Sequence, residues 1–466
     1  MRIPLRLAFC LLPILGGLQA QAPSHPNPAT TPEDPLLDRL LREALARNPE
    51  LARAAALLAA EGERVPQARA LPDPTLAVGI QNDGFHRNEV GRMDTSYYQL
   101  MVTQPLPWPG KRKLRGEVAA LGAEASQAEL ERTRLTVVAD LRRAYTGLLL
   151  VRSQLRLLED QALLLKQAEG TARSRYEVGQ GAQADLLRAQ LERTRTDQAR
   201  ARLQAEERIS QGQINRLRGV APDQPIVTER TLEQWPDPEP VAADFLAQAE
   251  GLSPEVRLAR VGALQAQRSL DLARLDRHPD FSVTAGVMPR GGLEPMWTAS
   301  VGITLPLWQK NKQQRAVAEQ EYRQSASGFE QERVRTLLAQ RIQERTRDMD
   351  ASLEVIRLYR QGLLIQSEAA FRAALAQYTV GRLPFLSVLE ALNGWISDQS
   401  GLLQVQAQAQ ATRIALVELN LGPTPAIGAA ALPAGGMGAT PGGPAPGGAA
   451  RPAAAAAPAS MSSGSM

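Results

Sequence analysis

Apolar residues recur along this chain at two periods, and each change of period marks an element. From Leu36 to about Ala70, Leu37, Leu40, Leu41, Leu45 and Leu51 fall three, four or six apart, predicting one helix that ends at the breaker Leu71-Pro-Asp-Pro74. The period then drops to two. Leu76, Val78 and Ile80 alternate with small or polar residues, and after a polar loop Tyr98, Leu100 and Val102 do the same, predicting a hairpin with one apolar side. Gln104-Pro-Leu-Pro-Trp-Pro-Gly110 stops the second strand, and Lys111, Arg112, Lys113 and Arg115 open a helical run to about Val178. A run of roughly sixty-five residues is about 100 Å long at 1.5 Å per residue, so it must pack against other helices along its length.

The order then repeats. A helix from about Ala182 to Leu217 and a non-helical bridge over 219–240 lead to Ser253-Pro-Glu255, which echoes Asn48-Pro-Glu50. A helix to about Asp276 follows, and His278-Pro-Asp280 echoes Leu71-Pro-Asp73. Two more strands come next, with Phe281, Val283, Ala285 and Val287 on one side of the first and Trp297, Ala299, Val301, Ile303 and Leu305 on one side of the second. Leu305-Pro-Leu-Trp308 with Lys310, Lys312 and Arg315 matches the earlier Pro-Trp-basic junction. A second long helix reaches Tyr378, and a shorter one runs from Pro384 to about Leu421. In the first half the two shorter helices, laid end to end, match the long one, which suggests a paired layer. The sharpest repeat is the turn closing each long helix: Tyr176-Glu-Val-Gly179 and Tyr378-Thr-Val-Gly381. The glycines stand where a helix C-terminus takes positive φ, and Pro384 suits the first turn of the outgoing helix. Each is the tip of a helical hairpin, and an offset of about two hundred residues implies duplication of a whole half rather than a short-period solenoid.

Composition sharpens this. Hydrophobic residues are 44% of the 466-residue chain but aromatics only 4%, which favours long Ala- and Leu-rich helices. The net charge of +4 and the lack of basic blocks interleaved with aromatics give no reason to invoke nucleic acid. Arg2 and Arg6, an apolar run over 7–18, and Ala20 and Ala22 predict a cleaved signal peptide over 1–22, hence export. The single cysteine, Cys10, falls inside it; bulky Phe9 and the short preceding run argue against a lipid anchor there. The mature chain then carries no thiol for a disulfide, metal site or catalysis. His25, His86 and His278 are far apart, no phosphate-binding glycine loop is present, and the carboxylates pair with arginines at helical spacing, as Asp140 does with Arg143. No cofactor, metal site or enzyme activity is expected.

The mature chain divides into a first half over 23–218, the bridge over 219–240, a second half over 241–422, and an Ala/Gly/Pro-rich tail over 423–466 that reads as disordered. Four short strands with one apolar face cannot close a barrel alone, since a transmembrane barrel needs at least eight. Several copies contributing four each would satisfy every strand edge, with apolar faces to lipid and Thr, Ser, Gly and Gln to a wet lumen. Tyr97, Tyr98 and Trp297 suit an interfacial aromatic girdle. Lys111, Lys113, Lys310 and Lys312 fit either lipid phosphates or solvated helix starts. A soluble half-buried sheet, a periplasmic coiled-coil adaptor and an exported hydrolase are the competing readings. The first, a sheet covering a helical bundle, is disfavoured by the export signal, the helices of about 100 Å and the duplication taken together. An adaptor would carry one hairpin flanked by compact β domains, and no nucleophile–base constellation supports a hydrolase.

Taken together, the duplicated Tyr-x-Val-Gly tips, the proline-bounded strand hairpins and the Asn-Pro-Glu and Ser-Pro-Glu helix starts resemble the TolC-like outer membrane factor family over nearly all of the mature chain. The resemblance implies a mostly α fold with a small membrane β component: a homotrimer whose α-helical tunnel continues into a twelve-stranded outer membrane β-barrel. It implies an exit duct of a tripartite efflux system, partnered by a periplasmic adaptor and an inner membrane transporter of the resistance-nodulation-division type. Gln104-Pro-Leu-Pro-Trp-Pro-Gly-Lys111 and His278-Pro-Asp-Phe281 are most similar to the arm exporting heavy-metal cations, with multidrug or type I secretion ducts of the same fold as alternatives. It places Ser387 and Glu390 at the two acidic positions of the family's periplasmic aperture, so one carboxylate of the pair is kept. It implies adaptor docking at Val178, Gly179, Gly181, Asp185, Val380 and Gly381. Glu390 also reads as a plain solvated helix residue, Asp185 as a first-turn carboxylate favoured by the helix dipole, and the glycines as simple caps.

Overall fold

The computed structural model describes residues 34–242, 244–425 and 427; the signal-peptide reading and nearly all of the tail lie outside these residues. The chain begins with α1 (Pro35–Arg47) and α2 (Pro49–Arg69), where a single helix was expected. The break lies at Asn48, whose side chain accepts from the N–H groups of Glu50 (2.8 Å) and Leu51 (3.4 Å) and donates to the Leu217 carbonyl (3.0 Å). Pro49 at the first helical position has no N–H to leave unpaired, so Asn-Pro-Glu starts a new helix although the apolar spacing runs on. Ser253-Pro-Glu255 does the same between α5 (Phe245–Leu252) and α6 (Pro254–Leu275).

The long helix α3 (Lys111–Glu177) is unbroken over 67 residues, and α1, α2 and α4 (Gln183–Leu217) all pack along it, as the matched lengths suggested. The second long helix is α7 (Gln313–Leu358) continued by α8 (Leu364–Thr379), with a π-helical stretch at Tyr359–Leu363 between them. The hydrophobic pattern alone did not reveal that interruption. Both α6 and the last helix, α9 (Phe385–Glu418), pack on α7. Pro384 is the extended residue capping α9 (ψ 152°) rather than part of its first turn.

The strands β1 (Thr75–Gln81), β2 (Tyr97–Leu106), β3 (Asp280–Arg290) and β4 (Leu293–Thr304) form one antiparallel sheet in the order β1-β2-β3-β4. The β2–β3 pairing joins the two halves. Around the bridge, Leu40, Leu141, Tyr145, Leu148, Ile214, Trp235 and Leu403 form one core. Arg152 ties the bridge to α3 by donating to Ile226 O and Thr228 Oγ1, both at 2.7 Å. A second core, with Leu338, Ile342, Met349 and Ala409, joins α7 to α9. Within it Arg345, 1% exposed, donates to the carbonyls of Ala415 (2.9 Å) and Gly422 (2.8 Å) and to the Asn420 side chain, holding the end of α9. Burial lowers its pKa, yet an arginine stays charged there.

Candidate functional site: paired hairpin tips and an apolar sheet face

The first tip closes α3 with a pair of backbone bonds. Gly179 N–H donates to Tyr176 O (3.0 Å) and Gln180 N–H to Arg175 O (2.8 Å), with Gly179 at φ 74°. The second tip repeats it: Gly381 N–H to Tyr378 O (2.9 Å), Arg382 N–H to Gln377 O (2.9 Å), and φ 77° at Gly381. This is the Schellman closure, which Tyr-x-Val-Gly encodes because only glycine takes that φ without strain. Gly181 is small for a different reason, since a Cβ there would stand 3.0 Å from the Tyr176 nitrogen. Val178 and Val380 are exposed at the tips, each by about two thirds (68% and 67%).

The two tips are not free of one another. The Arg175 guanidinium lies 4.8 Å from the Tyr378 ring centroid, donates to the Tyr378 carbonyl, and reaches Gln180 O at 3.2 Å. Tyr378 is buried and its ring packs on Phe385 at 5.2 Å, whereas its counterpart Tyr176 is exposed. The buried Tyr378 hydroxyl has no hydrogen-bond partner of good geometry. Burial and then the adjacent Asp185 carboxylate push its ionisation up, against the opposing pull of Arg175. Asp185, in the first turn of α4, thus faces Tyr378 with 16% of its side chain exposed and pairs with Arg188 at 3.7 Å. Arg175 and Asp185, from the first tip, converge on one tyrosine of the second. Sequence reading missed Arg175, and nothing in its local pattern distinguishes it from the other arginines of α3.

On α9, Phe385, Val388, Leu389 and Leu392 form the packed face. Ser387 and Glu390 lie off that face: Ser387 is half-buried, while Glu390 is exposed and makes no ion pair among the described residues. Among the described residues no group of three or more His, Cys, Asp and Glu side chains is placed to hold a metal ion.

At the other end, the sheet register sorts the side chains cleanly. Leu76–Val102–Ala285–Ala299 and Val78–Leu100–Val287–Trp297 run across all four strands on one face. Thr75–Thr103–Thr284–Ser300 runs across the other, with Thr103 and Thr284 hydroxyls 2.9 Å apart. Leu76, Val78, Ile80, Leu100, Val102, Val287, Trp297 and Val301 are all exposed. Tyr98 and Trp297 lie on this apolar face; Tyr97 lies on the polar one, its hydroxyl donating to Gln81 Oε1 at 2.6 Å. No described helix is long and apolar enough to cross a membrane.

Of the junction lysines, Lys111 is 2% exposed and cannot reach lipid, which corrects the expectation for it. Its ammonium is held by Asp280 (2.9 Å), Asp276 (3.3 Å) and the His278 carbonyl (3.3 Å), all more than 160 residues downstream. Next to it Trp108 stacks on His278 (centroids 5.0 Å) and Phe281 (5.7 Å). Lys113, Lys310 and Lys312 remain exposed.

The family model described as outer membrane efflux protein matches residues 40–220 and 245–420. The chain belongs to that family. It is therefore an outer membrane channel, from a family that is not an enzyme class. The chain is 22% identical over 373 residues to the cobalt-zinc-cadmium resistance protein CzcC of Cupriavidus metallidurans, covering 80% of this chain and 86% of that protein. It is 25% identical over 281 residues to the nickel-cobalt-cadmium resistance protein NccC of Alcaligenes xylosoxydans, spanning 60% of this chain and 63% of the relative. Among solved structures, the outer-membrane channel OprN superposes with a TM-score of 0.74 at 19% identity, covering 84% of this chain and 91% of that one. CusC superposes with a TM-score of 0.69 at 18% identity, covering 83% and 91%. At these identities the likeness establishes the fold: an antiparallel helical rod joined to a four-stranded sheet of a transmembrane channel.

Proposed function

We propose that the chain is the protomer of a trimeric exit duct, in which three sheets close a twelve-stranded outer membrane barrel and the helices of three copies form a periplasmic tunnel. The observation that carries this is the sheet: an exposed apolar face, a polar face lined by Thr and Ser, and two unpaired edges on β1 and β4. A barrel satisfies all three at once, because closure pairs the edges and alternation separates lipid from lumen. Tyr98 and Trp297 then sit in the outer girdle, with Tyr97 at the same level inside.

The cargo is a heavy-metal cation, a reading supported by the metal-resistance relatives. A periplasmic adaptor and an inner membrane transporter of the resistance-nodulation-division type complete the path, the adaptor meeting the tips at Val178, Gly179, Gly181, Asp185, Val380 and Gly381. The halves over 23–218 and 241–422, joined by the bridge over 219–240, act as two hairpin units, and 1–22 is the export signal. The tip contacts of Arg175 and Asp185 with Tyr378 hold the tunnel narrow. Three copies of Glu390, beside Ser387, line its aperture and favour cations.

Electrophoresis of outer membrane fractions with and without boiling tests the assembly, and a heat-modifiable trimer is expected. In planar bilayers Glu390→Ala is then expected to lower cation over anion permeability without altering the trimer. A soluble monomer refutes the duct; unchanged selectivity refutes the Glu390 aperture.

A further inference from the structure

The duplication leaves one contact made inside the chain and its counterpart unmade. At the β2–α3 junction, the Trp108 ring stacks on His278 and Phe281, its backbone N–H donates to Asp280 Oδ1 (2.7 Å), and Lys111 pairs with the same carboxylate. The equivalent β4–α7 junction carries Leu307, Trp308, Lys310 and Lys312, and its apolar side chains are left largely uncovered: Leu307 is 76% and Trp308 77% exposed. Neither lysine has an ion pair among the described residues. The equivalent of the receiving segment His278-Pro-Asp280 is Leu71-Pro72-Asp73, where Leu71 is exposed and Asp73 is likewise without an ion pair among the described residues.

These two unmatched junctions flank the free edges of the sheet, β4 and β1, and both lie at its helix-bearing end. Across three strand spacings of about 4.8 Å they stand roughly 14 Å apart within one chain, too far to touch. When β4 of one copy pairs with β1 of the next, the junctions become neighbours. Leu71 also borders a cavity of about 680 Å³ shared with Leu106, Pro107 and Trp108 of the same chain and rimmed by Arg69, Arg112, Lys113 and Glu117, so its side chain is not packed into a core.

We propose that Leu307 and Trp308 of one copy seat against Leu71 and Pro72 of the next, with Lys310 or Lys312 pairing to Asp73. The seat repeats between chains what Trp108, Lys111 and Asp280 do within one. It places an apolar wedge and an ion pair at the base of each strand seam, where backbone pairing ends and the helical wall begins. It rests on the closed-barrel reading above.

The test uses the full chain in outer membranes. Its one native cysteine is Cys10, in the expected leader, so paired cysteines introduced at Leu71 and Trp308, or at Asp73 and Lys312, report only on themselves. A short bis-maleimide is expected to link both pairs into covalent dimers and trimers that survive boiling, and to link neither single variant. As a second measurement, Asp73→Lys is expected to lower the temperature at which trimers dissociate, and combining it with Lys310→Asp and Lys312→Asp to restore it. Heat-modifiable trimers that never cross-link, or a charge reversal without rescue, overturn the seat and leave the duct standing. Absence of any trimer from the native protein overturns both.

Discussion

Replacing Arg175 by alanine tests whether the tip contacts hold the channel shut. The side chain spans the two tips, donating to the Tyr378 carbonyl and covering the Tyr378 ring at 4.8 Å. A hydrogen bond from a charged donor is worth about 1.5–3 kcal/mol net, and a cation–π contact at a partly exposed site about 0.5–1 kcal/mol. Arg175 is only half-buried, and its bond to Gln180 lies within its own tip, so the cross-tip share is best taken as about 2 kcal/mol. At 1.4 kcal/mol per decade this is a roughly thirty-fold shift toward separated tips. Single-channel recording in planar bilayers should show Arg175→Ala trimers spending correspondingly more time in high-conductance states. Arg175→Lys should fall between the two, because an ammonium keeps the charge over the ring but loses the fork. Equal open probability in wild type and Arg175→Ala, with trimers intact, would refute the clamp.

Three further expectations concern the frame that carries the tips. Arg345→Met removes the charged donor shared by the Ala415 and Gly422 carbonyls and the Asn420 side chain, a loss of about 1.5–3 kcal/mol that should lower the trimer's thermal dissociation temperature; an unchanged temperature would remove Arg345 as the anchor of α9. Gly219 has φ 67° and a Cβ there would stand 2.9 Å from the Arg47 carbonyl, so Gly219→Ala should cost about 2 kcal/mol in chemical denaturation, while neutrality would mean that the backbone yields at no cost. Burial and a hydrogen bond to Asp34 raise the ionisation of the Tyr145 phenol, so the folded state favours the neutral form. That stabilisation holds below the unfolded value of about 10 and fades as pH rises beyond it, so denaturation midpoints should fall on the alkaline side, and fall less in Tyr145→Phe. The same alkaline loss in both proteins would clear Tyr145.

What the sequence revealed, and what it hid, follows the range of each interaction. The tips were legible because a glycine at a helix end is a local requirement, and both Gly179 and Gly381 take the positive φ that their motif demanded. The strand faces were legible because alternation is local too. Register across β2 and β3 was not, since it pairs residues from separate halves, as Leu100 does with Val287. The split at Asn48 was half-legible: Asn-Pro-Glu stood out, but the apolar spacing around it continued and suggested one helix. The partners of Lys111 and Arg175 were hidden for one reason. Asp280 and Tyr378 lie 169 and 203 residues away, and one basic residue among 53 gives no sign of such a reach.

The π-helical stretch at Tyr359–Leu363 makes the two duplicated hairpins mechanically unequal. From Lys111 to Glu177 the first long helix keeps one unbroken ladder of backbone bonds from the sheet to the tip. The second has a soft joint where i-to-i+4 pairing lapses, and α8 can change pitch below it while α7 keeps its footing. A rearrangement of the tips is thus expected in the second hairpin beyond residue 359, since α3 of the first has no such joint.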